Sequence, residues 1–393
     1  MADPKKVAAI VTEYRKNSHA DVIVGKILEG YNHDGGDGPN LKLVSMYVDQ
    51  FPEKEMSRDL AKKHGFKIYE TIEGALTQGG KELAVDGVLC IGEHGKYPTN
   101  DRGQILYPRR KFFEAVIDVF AKSKRSVPVF NDKHLSVTWD DAKWMVDKAK
   151  EHFAPFLAGS SVPVTWRRPE LKLPKDCQPA EAVMIGYGPF EGYGFHALEG
   201  LQCMVERRKG GETGVKAVTC LQGDDMWKAQ DAGKWSPQLL HAAMAMVPAH
   251  APGDYRAMTA KDKDAGVFLI EYRDGFKAAV TMLNGWLYEG DGGAFCFATQ
   301  LPDEKPVACQ FYLQQPEPFA HFAYLVRAID SMIQTGHAPY PVERTLLTTG
   351  ILEAVMISRS DKNRRVETPY LDISYKPVDW PFATDPIPKG SKK

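Results

Sequence analysis

Three short stretches concentrate groups that move protons. Asp132-Lys133-His134 ends the apolar run Pro128-Val129-Phe130-Asn131, and Glu93-His94-Gly95-Lys96 follows the apolar residues up to Ile91. The third, Tyr193-Gly194-Phe195-His196-Ala197-Leu198-Glu199, opens an apolar helix pattern. An ammonium group can steady a developing alkoxide, and a histidine can give or take a proton near neutral pH. His196 and Glu199 are three apart, so on a helix they share a face and can act as a pair. A solvated lysine or a satisfied core histidine is the commoner fate of such residues taken singly. Their recurrence at three element ends favours chemistry. Carboxyl edges of parallel strands are where open α/β sheets hold ligands, so Glu93, His94, Lys133 and His134 are expected to lie near one another. Together with Asp132, His196 and Glu199 they include enough imidazole and carboxylate for a divalent metal, although their spacing matches no zinc signature.

The elements that must position these groups follow from periodicity. Residues 6–12, 41–48, 66–69, 85–91, 127–130 and 156–158 are short apolar runs, and residues 18–31, 57–64, 72–77, 110–122 and 139–154 repeat at helical spacing. Ser136 or Thr138 is the expected cap of the last of these helices, with Asp140 and Asp141 in its first turn. Alternation of this kind predicts a Rossmann-like, doubly wound parallel sheet. Residues 161–179 are rich in proline and arginine and read as a crossover, which divides the chain into 1–159 and 160–393. In the second part, residues 266–272 and 276–283 flank Arg273-Asp274-Gly275, an Asp-Gly hairpin signal. Further strands at 295–299 and 308–313, with helices at 195–208, 319–335 and 345–359, predict an α+β domain with an open, largely antiparallel sheet. The tail after Asp372 reads as a surface arm.

Bulk properties narrow the function. The 393 residues carry a formal net charge of −1 and no long basic run, which argues against nucleic-acid or anionic-membrane partners. No apolar stretch is long enough to span a bilayer, and Met-Ala-Asp-Pro-Lys-Lys is too polar to begin a secretory signal, so a cytoplasmic location is expected. The six cysteines form no CxxC pair and read as buried thiols.

A parallel sheet of this kind usually holds a dinucleotide on a glycine-rich first turn, where backbone amides approach the pyrophosphate. Here the turn is Val11-Thr12-Glu13-Tyr14-Arg15-Lys16-Asn17-Ser18-His19, without a glycine. Glu13 adds like charge, and Lys16 or Arg15 could supply a counter-charge. Asp49 ends the second strand, where a carboxylate would meet a ribose hydroxyl. Thr12, Glu13, Lys16, Asp49 and Glu93 therefore mark the cofactor edge, and NAD(P) binding is expected to be weak or lost.

The chain resembles the glucose–fructose oxidoreductase / inositol dehydrogenase / rhizopine catabolism (Gfo/Idh/MocA) family over most of its length. Asp132-Lys133-His134 is similar to the family's Glu-Lys-Pro motif, and Gly194-Phe195-His196-Ala197-Leu198-Glu199 to its G-x-H-x-x-D motif. His19, Val48-Asp49-Gln50 with Ala61 and His64-Gly65-Phe66, and residues 341–358 match as well. The resemblance implies an oxidoreductase acting on a sugar or polyol hydroxyl with NAD(P), Lys133 in the active site, His196 as acid/base, and a homo-oligomer. Three departures stand out. Val11, Glu13 and Lys16 occupy the glycine positions, Gly192 lies where many members have a second catalytic aspartate, and His134 replaces the proline. They leave two alternatives: a non-redox, metal-assisted lyase, hydratase, isomerase or hydrolase on an oxidised sugar, and a non-catalytic sugar- or nucleotide-binding protein. Trp166, Arg167, Tyr193, Trp286 and Tyr288 are candidates for sugar contact, with core packing as the plainer role.

Overall fold

The computed structural model describes residues 3–287, 294–315 and 317–386. Its first sheet contains β1 (Lys5–Val11), β2 (Leu41–Val48), β3 (Lys67–Tyr69), β4 (Gly87–Ile91), β5 (Val129–Asp132) and β6 (Phe156–Gly159). They lie in the order β3-β2-β1-β4-β5-β6, and every neighbouring pair is parallel. Strand periodicity divides the core in two. Ala8, Ile10, Val88 and Cys90 enter one hydrophobic cluster, whereas Val7, Ala9, Val11, Leu89 and Ile91 enter the other. With both faces covered, β4 is buried at all five positions, which explains its continuous apolar sequence.

The second cluster is completed from far along the chain. Phe322, Leu325, Val326, Ile329 and Met332 of the helix His321–Thr335 pack with β1 and with the helix His19–Glu29. That helix belongs by sequence to the second part of the chain, yet it covers a face of the first sheet. It brings its own first residues to the sheet's carboxyl edge.

The second sheet has eight strands: β7 (Trp166–Arg168), β8 (Glu181–Gly186), β9 (Val215–Gln222), β10 (Gly266–Tyr272), β11 (Lys277–Met282), β12 (Phe295–Thr299), β13 (Val307–Tyr312) and β14 (Val366–Glu367). Their order is β14-β9-β10-β11-β8-β12-β13-β7. All neighbours are antiparallel except β8 and β11. The helix Gly192–Val205 packs on β8, and the helix Glu343–Ser360 packs on β9 and on Gly192–Val205. Arg344 and Glu206 join these two helices in a buried pair, Nε to Oε2 at 2.8 Å.

Three sequence expectations shift. β5 runs to Asp132 rather than stopping at Phe130, because Asn131 and Asp132 still pair with Ala158 and Gly159 of β6. The crossover at 161–179 contains β7, the edge strand of the second sheet. Between residues 209 and 265, where periodicity predicts nothing, lie β9 and the helices Asp224–Asp231, Pro237–Met244 and Tyr255–Thr259. Among the described residues, no helix is long and apolar enough to cross a membrane.

One buried cation fixes the loop before His321. Lys26 is fully buried, and its Nζ donates to Tyr31 O at 2.8 Å and Pro318 O at 2.7 Å. Burial pushes its amine down to about 7, against the opposing pull of Asp21 and Glu317. The folded-state value lies below that of the unfolded chain, so between the two the unfolded chain holds a proton that the folded one has released. Stability should therefore rise with pH from about 7 towards the ordinary lysine value. Urea unfolding near pH 7 and pH 9 checks this. The gain on going to higher pH should shrink in Lys26→Met, and an identical gain in both proteins would contradict it.

Candidate active site

Three strand ends build one wall of a cleft. After β1, Ser18 caps the helix His19–Glu29 by accepting from the Asp21 amide, which makes His19 its first residue. His19 Nδ1 lies 2.7 Å from Oδ2 of Asp132, the last residue of β5. After β4 come Glu93 and His94. After β5 comes Lys133, whose amide donates to Gly159 O at 3.1 Å. His94 and Lys133 both have left-handed backbones, with φ of 72° and 65°. For non-glycine residues such conformations cost about 1–3 kcal/mol each, and they gather where side chains must be aimed. Lys133 Nζ stands 3.4 Å from Glu93 Oε1, while Arg109 bonds Glu93 Oε2 at 2.7 Å. Burial alone would raise the Glu93 carboxyl, but Lys133 and Arg109 outweigh it and hold the group well below the usual carboxylate range.

The opposite wall carries His196, on the helix Gly192–Val205. Its Nδ1 lies 2.6 Å from Ser160 Oγ. Burial, and then the charge of Lys133, push its imidazole well below the ordinary value, so it stays neutral. His94 is likewise pushed down, to about 3, by burial and by His19, with Arg15 at 3.2 Å from its Nδ1. His321 opens its helix at the same cleft, also pushed to about 3 by burial.

The cleft has a volume of about 280 Å³ and is lined by Asn17, His19, Glu93, His94, Lys133, Tyr193, His196, His321 and Phe322 among others. That is just under the ~300 Å³ at which drug-sized ligand pockets begin, and it suits a monosaccharide-sized ligand.

Sequence reasoning brings Glu93, His94, Lys133 and His196 together, and they do meet here. Two of its expectations need correction. Glu199 does not pair with His196. Its Oε1 accepts from Thr348 at 2.7 Å and Thr345 at 3.2 Å, and its Oε2 from the Ser160 amide at 3.3 Å. Sharing a helix face made the pair feasible, but hydroxyls from the helix Glu343–Ser360 compete for the carboxylate. Burial raises Glu199 above the ordinary carboxylate value even against Arg344. Its role is to hold Ser160, and Ser160 holds His196. Nor does His134 reach the cleft. It is buried, with Nε2 2.7 Å from Glu191 Oε1 and Nδ1 2.8 Å from Ser136 O. The missed residues are Ser160 as the partner of His196 and His321 as a cleft group, and the pairing of His19 with Asp132. Their partners lie far apart in sequence, so no spacing signals them.

The cofactor edge is filled by the protein's own side chains. Glu13, largely buried, accepts from Arg15 Nε at 2.6 Å, and Lys16 pairs with Glu317. Thr12 Oγ1 donates to Glu93 O at 2.5 Å. Asp49, placed for a ribose, already accepts from the hydroxyls of Tyr47 and Tyr97, both at 2.7 Å. Gln50 is clasped to both backbone groups of Lys96, at 2.9 and 3.0 Å. These residues do not fit a resident NAD(P). A pyrophosphate would meet the Glu13 carboxylate without glycine amides to receive it, and a ribose would have to displace two tyrosines.

Among the described residues, no group of three or more His, Cys, Asp or Glu is arranged to hold a metal ion. Asp132 is engaged by His19, Glu93 by two cations and Glu199 by hydroxyls, so the divalent-metal reading loses its ligands. Among the described residues, Tyr193 is the one sugar-contact candidate that lines the cleft. Trp166 donates to Asp385 O, Arg167 covers the Phe382 ring, and Trp286 stacks on His250. Tyr288 lies outside the described residues.

No family model and no curated protein sequence matches the chain. Solved structures do. GenD2 from gentamicin A biosynthesis, in complex with NAD, is 15% identical, with 93% of this chain and 97% of that one covered at a TM-score of 0.57. A probable dehydrogenase from Thermotoga maritima is 12% identical, with 93% and 99% covered at 0.58. The scyllo-inositol dehydrogenase from Lactobacillus casei, in its apo form, is 11% identical, with 93% and 99% covered at 0.57. Identities this low speak for the fold alone.

Proposed function

We propose, for a chain with the fold of the Gfo/Idh/MocA oxidoreductases, that the cleft takes a small oxidised sugar or polyol and catalyses a redox-neutral proton transfer on it. The observation that carries this reading is the meeting of Lys133 with a neutral His196 beside a closed cofactor edge. His196 takes the proton from the carbon next to a carbonyl, and the electron pair moves onto the carbonyl oxygen. The Lys133 ammonium, aimed by Glu93, steadies the oxygen as charge develops. Returning that proton to the former carbonyl carbon, while the proton of the neighbouring hydroxyl passes to the oxygen, isomerises the ligand. Giving it instead to a hydroxyl leaving from the carbon on the other side expels water and dehydrates it.

A second reading is the NAD(P)-dependent oxidoreductase acting on a sugar or polyol hydroxyl. It is favoured by the likeness in fold to dehydrogenases. It requires Glu13, Arg15 and Asp49 to leave their present partners. The two separate in heavy water, with D-fructose, D-tagatose and 2-keto-myo-inositol followed by proton NMR. The redox-neutral reading expects carbon-bound hydrogen to exchange for deuterium without any nucleotide. Exchange or turnover that appears only when NAD(P) is added would overturn it in favour of the oxidoreductase.

A further inference from the structure

Two imidazoles of this cleft, from separate elements, have a hydroxyl or a carboxylate at Nδ1, whereas the Nδ1 of His94 faces the Arg15 guanidinium. His196 has Ser160, and His19 has Asp132 at 2.7 Å. The Asp132 side chain is 2% exposed and that of His19 16%. The His19 ring is wedged edge-on between His94 and Phe322, at centroid distances of 5.5 and 5.3 Å, which leaves it little freedom to turn. An ionised carboxylate can only accept, so it keeps a proton on Nδ1 and leaves Nε2 to the cleft that the residue lines. A carboxylate orienting a histidine in this way is the arrangement that general bases use. The sequence suggested it for His196 and Glu199; the structure builds it from His19 and Asp132.

We propose that His19, oriented by Asp132, is a second proton-transfer residue of the cleft, working with His196. The proposal rests on the function given above and deepens it. In the step, one imidazole takes the proton from the carbon beside the carbonyl: the C–H bond breaks and an N–H bond forms. The electron pair makes the new C=C bond and leaves charge on the carbonyl oxygen beside the Lys133 ammonium. The other imidazole, its Nε2 bare, takes the proton of the adjacent hydroxyl and passes it to that oxygen, while the first returns its proton to the former carbonyl carbon. Protons and charge balance without an oxidant or a nucleotide. A dehydrogenase needs one such base. Two fit a proton shift in an α-hydroxy carbonyl compound, which is the substrate class we assign.

The first test needs no ligand. Acylation by diethyl pyrocarbonate, mapped to each histidine by mass spectrometry, should label His19 in the wild-type chain. In Asp132→Asn that labelling should slow by about tenfold or more, the low end for loss of a carboxylate that orients a histidine. Labelling of the exposed His337 should not change. A His19 that resists while His337 reacts, or equal rates at His19 in both proteins, would overturn the proposal. Should Asp132→Asn fail to fold, long-range proton–nitrogen NMR of the wild-type chain decides instead. A proton on Nδ1 with a bare Nε2 upholds the orientation, and the reverse tautomer refutes it. In the exchange assay, His19→Gln should then lose about 10²-fold or more, and full activity would overturn the catalytic role. A wild-type chain that labels as expected but exchanges nothing would fail the proposed function instead, so the two failures are distinguishable.

Discussion

Lys133→Ala and His196→Ala are each expected to slow deuterium exchange into a keto-sugar by about 10²–10⁴-fold, the range for removing a positioned acid, base or charge. That corresponds to about 3–5 kcal/mol of barrier. Neither change should lower thermal stability much. Without Lys133, Glu93 keeps its 2.7 Å bond to Arg109. Without His196, the Ser160 hydroxyl keeps the Val162 amide at 3.1 Å. His134 is the control. It is interior, bonded to Glu191 and Ser136, so His134→Ala should leave polar partners stranded and reduce stability by about 1–3 kcal/mol. Unchanged exchange in either cleft variant would remove that residue from the mechanism.

Which features were legible in the sequence follows from how local their signals are. Parallel strands buried on both faces announce themselves as continuous apolar runs, so the first sheet could be placed almost element by element. The closeness of Glu93 to Lys133 follows from strand ends meeting at one edge. His196 and Glu199 show the limit of that reasoning. Helical spacing tells which residues can face each other, but not which competing donors arrive from elsewhere, and Thr345 and Thr348 lie about 150 residues away. His19 and Asp132 meet because β1 and β5 flank β4 in the sheet, a fact of strand order that no local pattern carries. The short strands at either edge of the second sheet, β7 and β14, are too brief for any periodicity to emerge.

The absent glycines proved informative in a way that composition alone could not establish. A turn without glycine could still be rescued by Arg15 or Lys16 reaching a phosphate. In the folded chain both cations already have carboxylate partners, Glu13 and Glu317, and the ribose position is taken by Tyr47 and Tyr97. Freeing these groups means breaking several charge-assisted bonds and burying Glu13 beside phosphate, where an unpaired charge is penalised heavily.

Titration calorimetry of the purified chain with NAD(H) and NADP(H) tests the central claim most directly. The account predicts no saturation below about 1 mM, less than about 4 kcal/mol of binding free energy. Submicromolar binding of either nucleotide, with reduction or oxidation of a sugar substrate, would contradict it.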